Sequence, residues 1–384
     1  MSIGKLTIAK SDLESALNQT GFSLGKDAQW TSHYFFRSNS KGVDVHTTNH
    51  RHCSSIPITT CSVHTDENAG AFTLDSSRVK KMLQHIDTSN ALVFKHDSNK
   101  VVAKTARGDI HFAITKNEFP YWDDTLGEAE EMLTIDTQKL IEVVSHHKNF
   151  VAKPDAKSLL YRYIAFKDGG VLSGNGFSMS LTLTDDLKGA NFYLTQLDIN
   201  PLLGFLKGCE GKISIRNTEK MVFFVADNEA LFGLVNPSKR AQAGMGSLDV
   251  TQMSNSLTDS LASWSTAKDN LTSCLGLLGC VMDDNDKAVK FSFEEGSLFV
   301  LGKSLAGDTD KVEVGLKTFD DDKKTLDKPM YFNREVFAKV LSLLEEDELT
   351  IEILKSLNNS PVVNHTVSGY TTYSLIVPLQ TANF

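Results

Sequence analysis

Two histidine pairs and two acidic runs hold the residues whose types could do chemistry. His146 and His147 are adjacent, and His50, Arg51, His52 and Cys53 form a second cluster. A zinc site on a helix needs ligands that share a face, such as histidines four residues apart with a carboxylate nearby. Adjacent histidines on a helix point in different directions, and no matching carboxylate pair stands one turn on. His50 to Cys53 reads as a strand with a polar edge. Asp283-Asp284 and Asp320-Asp321-Asp322 are acidic runs of the kind that sit solvated in loops. A two-metal nuclease needs carboxylates that converge on one site, and nothing in this spacing favours convergence. No GxSxG, P-loop or HExxH motif is present, nor a GxGxxG opening a helix. The residues point to a binding protein without a metal or cofactor, and not to an enzyme.

Composition narrows the class further. The 384 residues are 41% hydrophobic and 23% charged, ordinary for soluble globular chains of two or three domains. No apolar run reaches the roughly 18 residues of a membrane span, and the opening MSIGKLTIAKSDLE has no signal-peptide core. The five cysteines, Cys53, Cys61, Cys209, Cys274 and Cys280, are odd in number and show no CxxC spacing. Reduced thiols in a cytoplasmic protein are the expectation. The net charge of −9 is unevenly spread. Residues 1–125 carry 14 Lys+Arg against 13 Asp+Glu, residues 126–245 carry 13 against 14, and residues 246–384 carry 12 against 21. A uniformly basic DNA-binding surface is excluded, whereas a local basic face is not.

The elements that would position these residues repeat. A short strand, a polar residue and an amphipathic helix appear as Leu6-Thr7-Ile8 before KSDLESALNQT, as Met132–Ile135 before DTQKLIEVVSHH, and as Leu248-Asp249-Val250 before TQMSNSLTDSLASW. The starts lie roughly 115–127 residues apart. A second strand–helix unit follows each. Phe72-Thr73-Leu74 precedes DSSRVKKMLQHI, Tyr193-Leu194 precedes TQLDINPLLGFLKG, and Met330-Tyr331-Phe332 precedes NREVFAKVLSLL. Each second helix has one apolar stripe: Val79, Met82, Leu83 and Ile86; Ile199, Leu202, Leu203 and Leu206; Val336, Phe337, Val340, Leu341 and Leu344. Such stripes bury against a sheet. Asp75 or Ser76, Asn200 before Pro201, and Asn333 are the expected N-caps. Period-two runs such as KISIRN, MVFFVAD, AVKFSFEEG and LTIEIL fill the intervals, with hairpin turns at Asp168-Gly169-Gly170, Gly174-Asn175-Gly176 and Glu295-Gly296. The pattern predicts an α+β protein of three repeated domains, 1–125, 126–245 and 246–384, each with two helices and antiparallel sheets.

Three such domains resemble the bacterial DNA polymerase III beta subunit, the sliding clamp. Three stretches carry the resemblance along the whole chain. Asn117–Asp124 resembles the family's acidic Phe-Pro segment closing the first domain. Val171–Met179 falls where the family has a Thr-Asp-Gly-His-Arg-Leu loop. Tyr373–Leu379 resembles the family's C-terminal Tyr-Val-Val-Met-Pro-Met ending. The Gly-His-Arg centre is replaced here by Gly-Phe-Ser, Leu234–Pro237 stands where a second Phe-Pro segment is expected, and Gln380–Phe384 runs past the usual end. These departures imply a distant member, bacterial or phage-encoded.

The resemblance implies a head-to-tail homodimer closing into a ring around duplex DNA, with helices lining the hole. Topology then holds the clamp, and weak sequence-independent phosphate contacts let it slide. Candidate DNA contacts are Arg78, Lys80 and Lys81 with His85, then Lys139, His146 and Lys148, Lys207 at a helix end, and Lys339. By family position Lys26 and Lys157 join them. Glu14, Glu142, Asp259 and Glu335 on the same helices dilute the charge. The resemblance also implies an apolar groove for short peptides of the polymerase and clamp loader, formed by Tyr161, Gly174, Gly176, Met179, Pro237, Leu375, Val377, Pro378 and Leu379. The dimer interface would place Ile110 and Phe112 against Leu261 and Trp264. Rival readings are a structural or assembly protein built from α+β repeats, and a metal-dependent nuclease.

Overall fold

The computed structural model describes residues 4–379 apart from 27–29, 65–70, 88–90, 97–99, 106, 115–118, 120–121, 157, 238–249, 258–259, 284–286, 321–328 and 356–358. Helices among these residues are α1 (Lys10–Thr20), α2 (Ser76–Gln84), α3 (Asp123–Gly127), α4 (Thr137–His147), α5 (Gln196–Leu206), α6 (Val250–Ser256), α7 (Lys268–Val281) and α8 (Arg334–Ser342). The chain divides into two compact units, Met1–Ile141 with Leu197–Asn236, and Glu142–Gln196 with Pro237–Phe384.

The first unit holds two antiparallel sheets. One has five strands in the order Ser62–His64, Gly4–Ala9, Ala91–His96, Lys100–Thr105 and Gly108–Ala113. The other has eight, and its two halves join where Leu231–Val235 pairs with His52–Ile58, Leu231 facing Ser55 and Leu234 facing His52. Near this seam Asp198 of α5 is buried and accepts from Arg51 Nε at 2.6 Å and from Arg51 Nη2 at 2.9 Å, with His52 Nε2 at 2.8 Å. A bidentate guanidinium compensates the carboxylate's lost hydration, which an unpaired buried charge could not tolerate. α5 starts at Gln196, two residues before Asp198, so Pro201 lies inside the helix and Asn200 is not its N-cap. Asp75 and Asn333 do cap α2 and α8, accepting from Arg78 N and from Glu335 N and Val336 N.

The second unit repeats the plan. A nine-stranded sheet joins at Ser178–Leu183 and Tyr370–Ile376, where Met179 faces Leu375 and Ser180 faces Ser374. A four-stranded sheet runs Thr309–Val314, Ser297–Lys303, Ala288–Glu294 and Met330–Asn333. Both eight- and nine-stranded sheets cross a repeat limit, so the division by contacts does not coincide with residues 125 and 245. The three-domain division stays a proposal.

The threefold repeat is visible in the pairing. The strand before each first helix pairs antiparallel with the strand after each second helix: Gly4–Ala9 with Ala91–His96, Glu130–Asp136 with Lys212–Asn217, and Ser260–Ala267 with Glu348–Leu354. The first residue of each first helix is tied to the chain beyond the second. Lys10 Nζ donates to Ile86 O at 2.6 Å, Thr137 Oγ1 to Gly211 O at 2.8 Å, and Lys268 Nζ to Leu344 O at 3.0 Å. In each repeat a carbonyl in the chain beyond the second helix thus gains a side-chain donor.

That register corrects the third repeat. The expected helix TQMSNSLTDSLASW is in the structure α6, then residues outside the description, then the strand Ser260–Ala267; the first helix is α7. Strand alternation buries Ala262, Trp264 and Thr266 and turns Leu261 and Ser263 partly outward. Trp264 is 0% exposed, packed against Phe293 in a core with Leu271, Leu275, Phe291 and Ile351. It is a core residue of this unit and not the expected interface residue.

Candidate functional site

Three surface features carry most of the candidate residues. The first lies in the first unit, between the end of α1, α2 and the end of α5. A cleft of about 540 Å³ is lined by Ser15, Asn18, Gln19, Gly21, Phe22, Lys80, Gly204, Lys207 and Gly208. It brings together Lys80 and Lys207, which are distant in sequence. Gly204 is on α5 and Gly208 lies in the turn just past its end; a Cβ at Gly204 would overlap the Phe22 ring, and one at Gly208 the Gln19 side chain. The two glycines therefore let α1 and its following turn lie directly on the α5 backbone. Gln19 Nε2 fixes the contact by donating to Phe205 O at 3.2 Å and Cys209 Sγ at 3.3 Å. Lys207 also borders an acidic depression with Asp136 and Glu210.

The second feature, also in the first unit, is a basic and apolar depression of about 410 Å³. Arg78, Lys81, Met82, His85 and Ile86 from α2 and its end meet Thr105, Arg107, Ile110, His111 and Phe112. Gly108–Ala113 is the outer strand of its sheet, so one row of backbone groups is unpaired within the described residues. Ile110 is exposed there, whereas Phe112 is buried.

The third feature lies in the second unit, at the Ser178–Leu183 and Tyr370–Ile376 seam. Val377 N donates to Phe177 O at 2.8 Å, so the strand end closes over the Gly174–Gly176 turn. Gly176 has φ +90°, and a Cβ there would come within 3.1 Å of the Tyr161 ring. Tyr161, Phe177 and Val377 are exposed, Phe177 by 54%. Met179 is half-buried and packs with Leu172, Val250, Leu257 and Leu375 beneath. Gly174 is buried, Pro378 and Leu379 are half-buried, and Leu379 N donates to Tyr331 O at 2.8 Å. Pro237 is half-buried, at the start of one of the unit's chain segments.

On the opposite face of the same two strands sits a buried histidine network. His146 Nε2 meets Ser180 Oγ at 3.0 Å, His147 bridges Ser173 Oγ at 2.8 Å and Thr182 Oγ1 at 2.9 Å, and His365 Nε2 meets Ser374 Oγ at 2.9 Å. Burial pushes His146 down to about 4, with His365 adding to it, and pushes His147 well below the usual imidazole range. His365 is lowered by burial, against the opposing pull of Glu346. His146 is therefore a neutral core group. Its ring packs on Phe150 and its nitrogen on a serine, so it is not available to a phosphate.

The remaining basic candidates scatter. Lys26 and Lys148 are exposed. Lys339 is exposed and donates to Asn149 O at 3.0 Å, beside Lys148 in sequence. Lys157 lies outside the described residues. Phe22 escaped the sequence reading, and Phe177 entered it only as a departure in the Gly-Phe-Ser turn, because an exposed phenylalanine has the same letter as a core one.

No protein-family model and no curated protein matches the sequence. Solved structures do match. A DNA polymerase III beta subunit from Thermotoga maritima is 16% identical, with a TM-score of 0.72 over 99% of this chain and 100% of that one. The beta subunit of Streptococcus pyogenes DNA polymerase is 14% identical, with a TM-score of 0.76 over 98% and 100%. A Pseudomonas aeruginosa sliding clamp bound to griselimycin is 12% identical, with a TM-score of 0.76 over 98% and 100%.

The chain has the sliding-clamp fold. The clamp fold accounts for the α+β class and for the threefold strand–helix plan expected from the repeat. At these identities the likeness is one of backbone, and the side chains at the three features are this chain's own. The Gly-Phe-Ser sequence at 176–178 puts an exposed phenyl ring and a buried serine at the seam of the nine-stranded sheet.

Proposed function

We propose that this chain is a sliding clamp, a non-catalytic processivity factor that encircles duplex DNA and tethers a replicative polymerase. The observation that carries the reading is the full-length likeness to DNA polymerase sliding clamps, over 98–99% of the chain. DNA would be held by topology, aided by weak phosphate contacts from Lys26, Arg78, Lys80, Lys81, Lys148, Lys157, Lys207 and Lys339. The reading places the protein in the cytoplasm. The exposed Tyr161, Phe177 and Val377 patch, with Met179, Leu375, Pro378 and Leu379, is the proposed dock for short apolar peptides of the polymerase and clamp loader. A clamp of this fold takes up griselimycin, which makes that compound a practical probe of the patch.

The ring would close by pairing the outer strand Gly108–Ala113 of one copy with the outer strand Thr309–Val314 of another. The first edge adjoins the basic, apolar depression of Arg78, Lys81, Arg107 and Ile110. Near the second, Leu277, Val281 and Leu305 are exposed, Leu277 by 60% and Leu305 by 72%, and Leu305 N donates to Val281 O. Asp308, Asp310 and Glu313 flank that edge. An apolar centre with opposite charge around it fits a head-to-tail protein contact. Leu277, Val281 and Leu305 replace Leu261 and Trp264 as the proposed interface residues.

The test is retention on DNA. Loaded protein should stay on a nicked circular plasmid through gel filtration and fall off once the plasmid is cut. Equal retention on both forms removes the topological reading, and magnesium-dependent cleavage of the plasmid would favour a nuclease instead.

A further inference from the structure

The Phe22 cleft does more than add positive charge. The Phe22 ring lies on the side-chain-free surface of Gly204 and yet is 46% exposed. It makes no ring stack among the described residues. A phenyl ring held on one side and open on the other is a platform for another flat group. Lys80 and Lys207 border the same cleft, and no carboxylate lines it. Neither lysine makes an ion pair among the described residues; Lys80 Nζ stands 6.0 Å from the Tyr34 ring centre. Ser15 and Asn18 add exposed polar groups at the rim. A volume of about 540 Å³ exceeds what a single nucleotide occupies and falls within the range of small-molecule clefts.

We propose that this cleft is a station for an unpaired nucleotide of single-stranded DNA, with the base stacked on Phe22 and the flanking phosphates held by Lys80 and Lys207. Duplex DNA offers phosphates to the lysines but no free base face to the ring. The cleft therefore distinguishes single-stranded from duplex DNA, which phosphate contacts alone do not. The inference rests on the clamp reading for its biological setting and stands on the cleft for its chemistry.

Fluorescence anisotropy of the full chain tests it, with labelled dT12 and a 12-base-pair duplex at equal, low ionic strength. Aromatic stacking is worth about 1–3 kcal/mol per base, so Phe22→Ala should weaken dT12 binding about tenfold and change duplex binding less than twofold. Phe22→Trp should keep dT12 binding, and Lys80→Ala with Lys207→Ala should weaken both DNAs. Thymidine monophosphate should displace dT12 where the same concentration of inorganic phosphate does not. Unchanged dT12 binding by Phe22→Ala, an equal loss on both DNAs, or equal displacement by phosphate would overturn the proposal. Retention of the wild-type protein on circular DNA, measured in parallel, reports separately on the clamp reading.

Discussion

Single residues decide the shape of the proposed peptide dock and of the third unit of the repeat. Gly176 is needed for two reasons that act together: φ +90° strains any L side chain, and the Tyr161 ring occupies the space a Cβ would need. Gly176→Ala should cost about 1–2 kcal/mol locally and lower griselimycin affinity severalfold by calorimetry, while urea unfolding of the rest of the chain changes little. Trp264 shows how one residue reads differently in line and in space. An aromatic residue in a short apolar stretch could sit at an interface or in a core, and only the strand register of Ser260–Ala267 turns it inward. Trp264→Glu would bury an unpaired carboxylate at a cost of several kcal/mol. The expected result is insoluble or unfolded protein by circular dichroism, not a folded monomer.

At the scale of elements, two predictions separate packing from assembly. Leu277 and Leu305 are exposed and support no core, so Leu277→Asp with Leu305→Asp should leave the melting temperature within a few degrees and convert the proposed dimer to monomer by light scattering. A dimer that survives both changes removes α7 from the interface. The histidine network predicts an acid response. An imidazole in the unfolded chain takes a proton near 6.5, while buried His146 takes one only near 4. Between those values the unfolded chain binds more protons. Stability present above pH 6.5 is therefore lost as the pH falls toward 4, by roughly 3 kcal/mol for His146 alone. Urea midpoints measured from pH 7 to pH 4.5 should fall, and His146→Gln, which can still bond Ser180, should flatten the fall. His146 and His147 were legible as a pair, but as neighbours on a helix they gave no sign that two different strands supply their hydroxyl partners.

For the whole molecule, the proposed hold on DNA is topological, and the electrostatics are modest. The excess acidity lies in residues 246–384, and of the basic candidates only Arg78, Lys80, Lys81 and Lys207 gather in patches beside α2 and α5. Binding to a short linear duplex should thus be weak and fall steeply with salt, whereas retention on a closed circle should persist at the same salt. Loss of both together would argue for ordinary electrostatic binding.

The sequence by itself determined the α+β class, the order of strand and helix, the apolar stripes of α2, α5 and α8, and the caps at Asp75 and Asn333. These depend on local periodicity and on short-range hydrogen bonds, which neighbouring residues settle among themselves. Tertiary structure alone decided the third repeat's register, the burial of Trp264 and His146, the start of α5, and the meeting of Phe22 with Lys80 and Lys207. Each of those depends on groups far apart in the chain. Asp198 holds α5 through Arg51, glycines 204 and 208 admit Phe22 and Gln19, and Lys268 finds the carbonyl of Leu344. Such contacts are set by which surfaces exclude water together, and a linear pattern carries no record of that pairing.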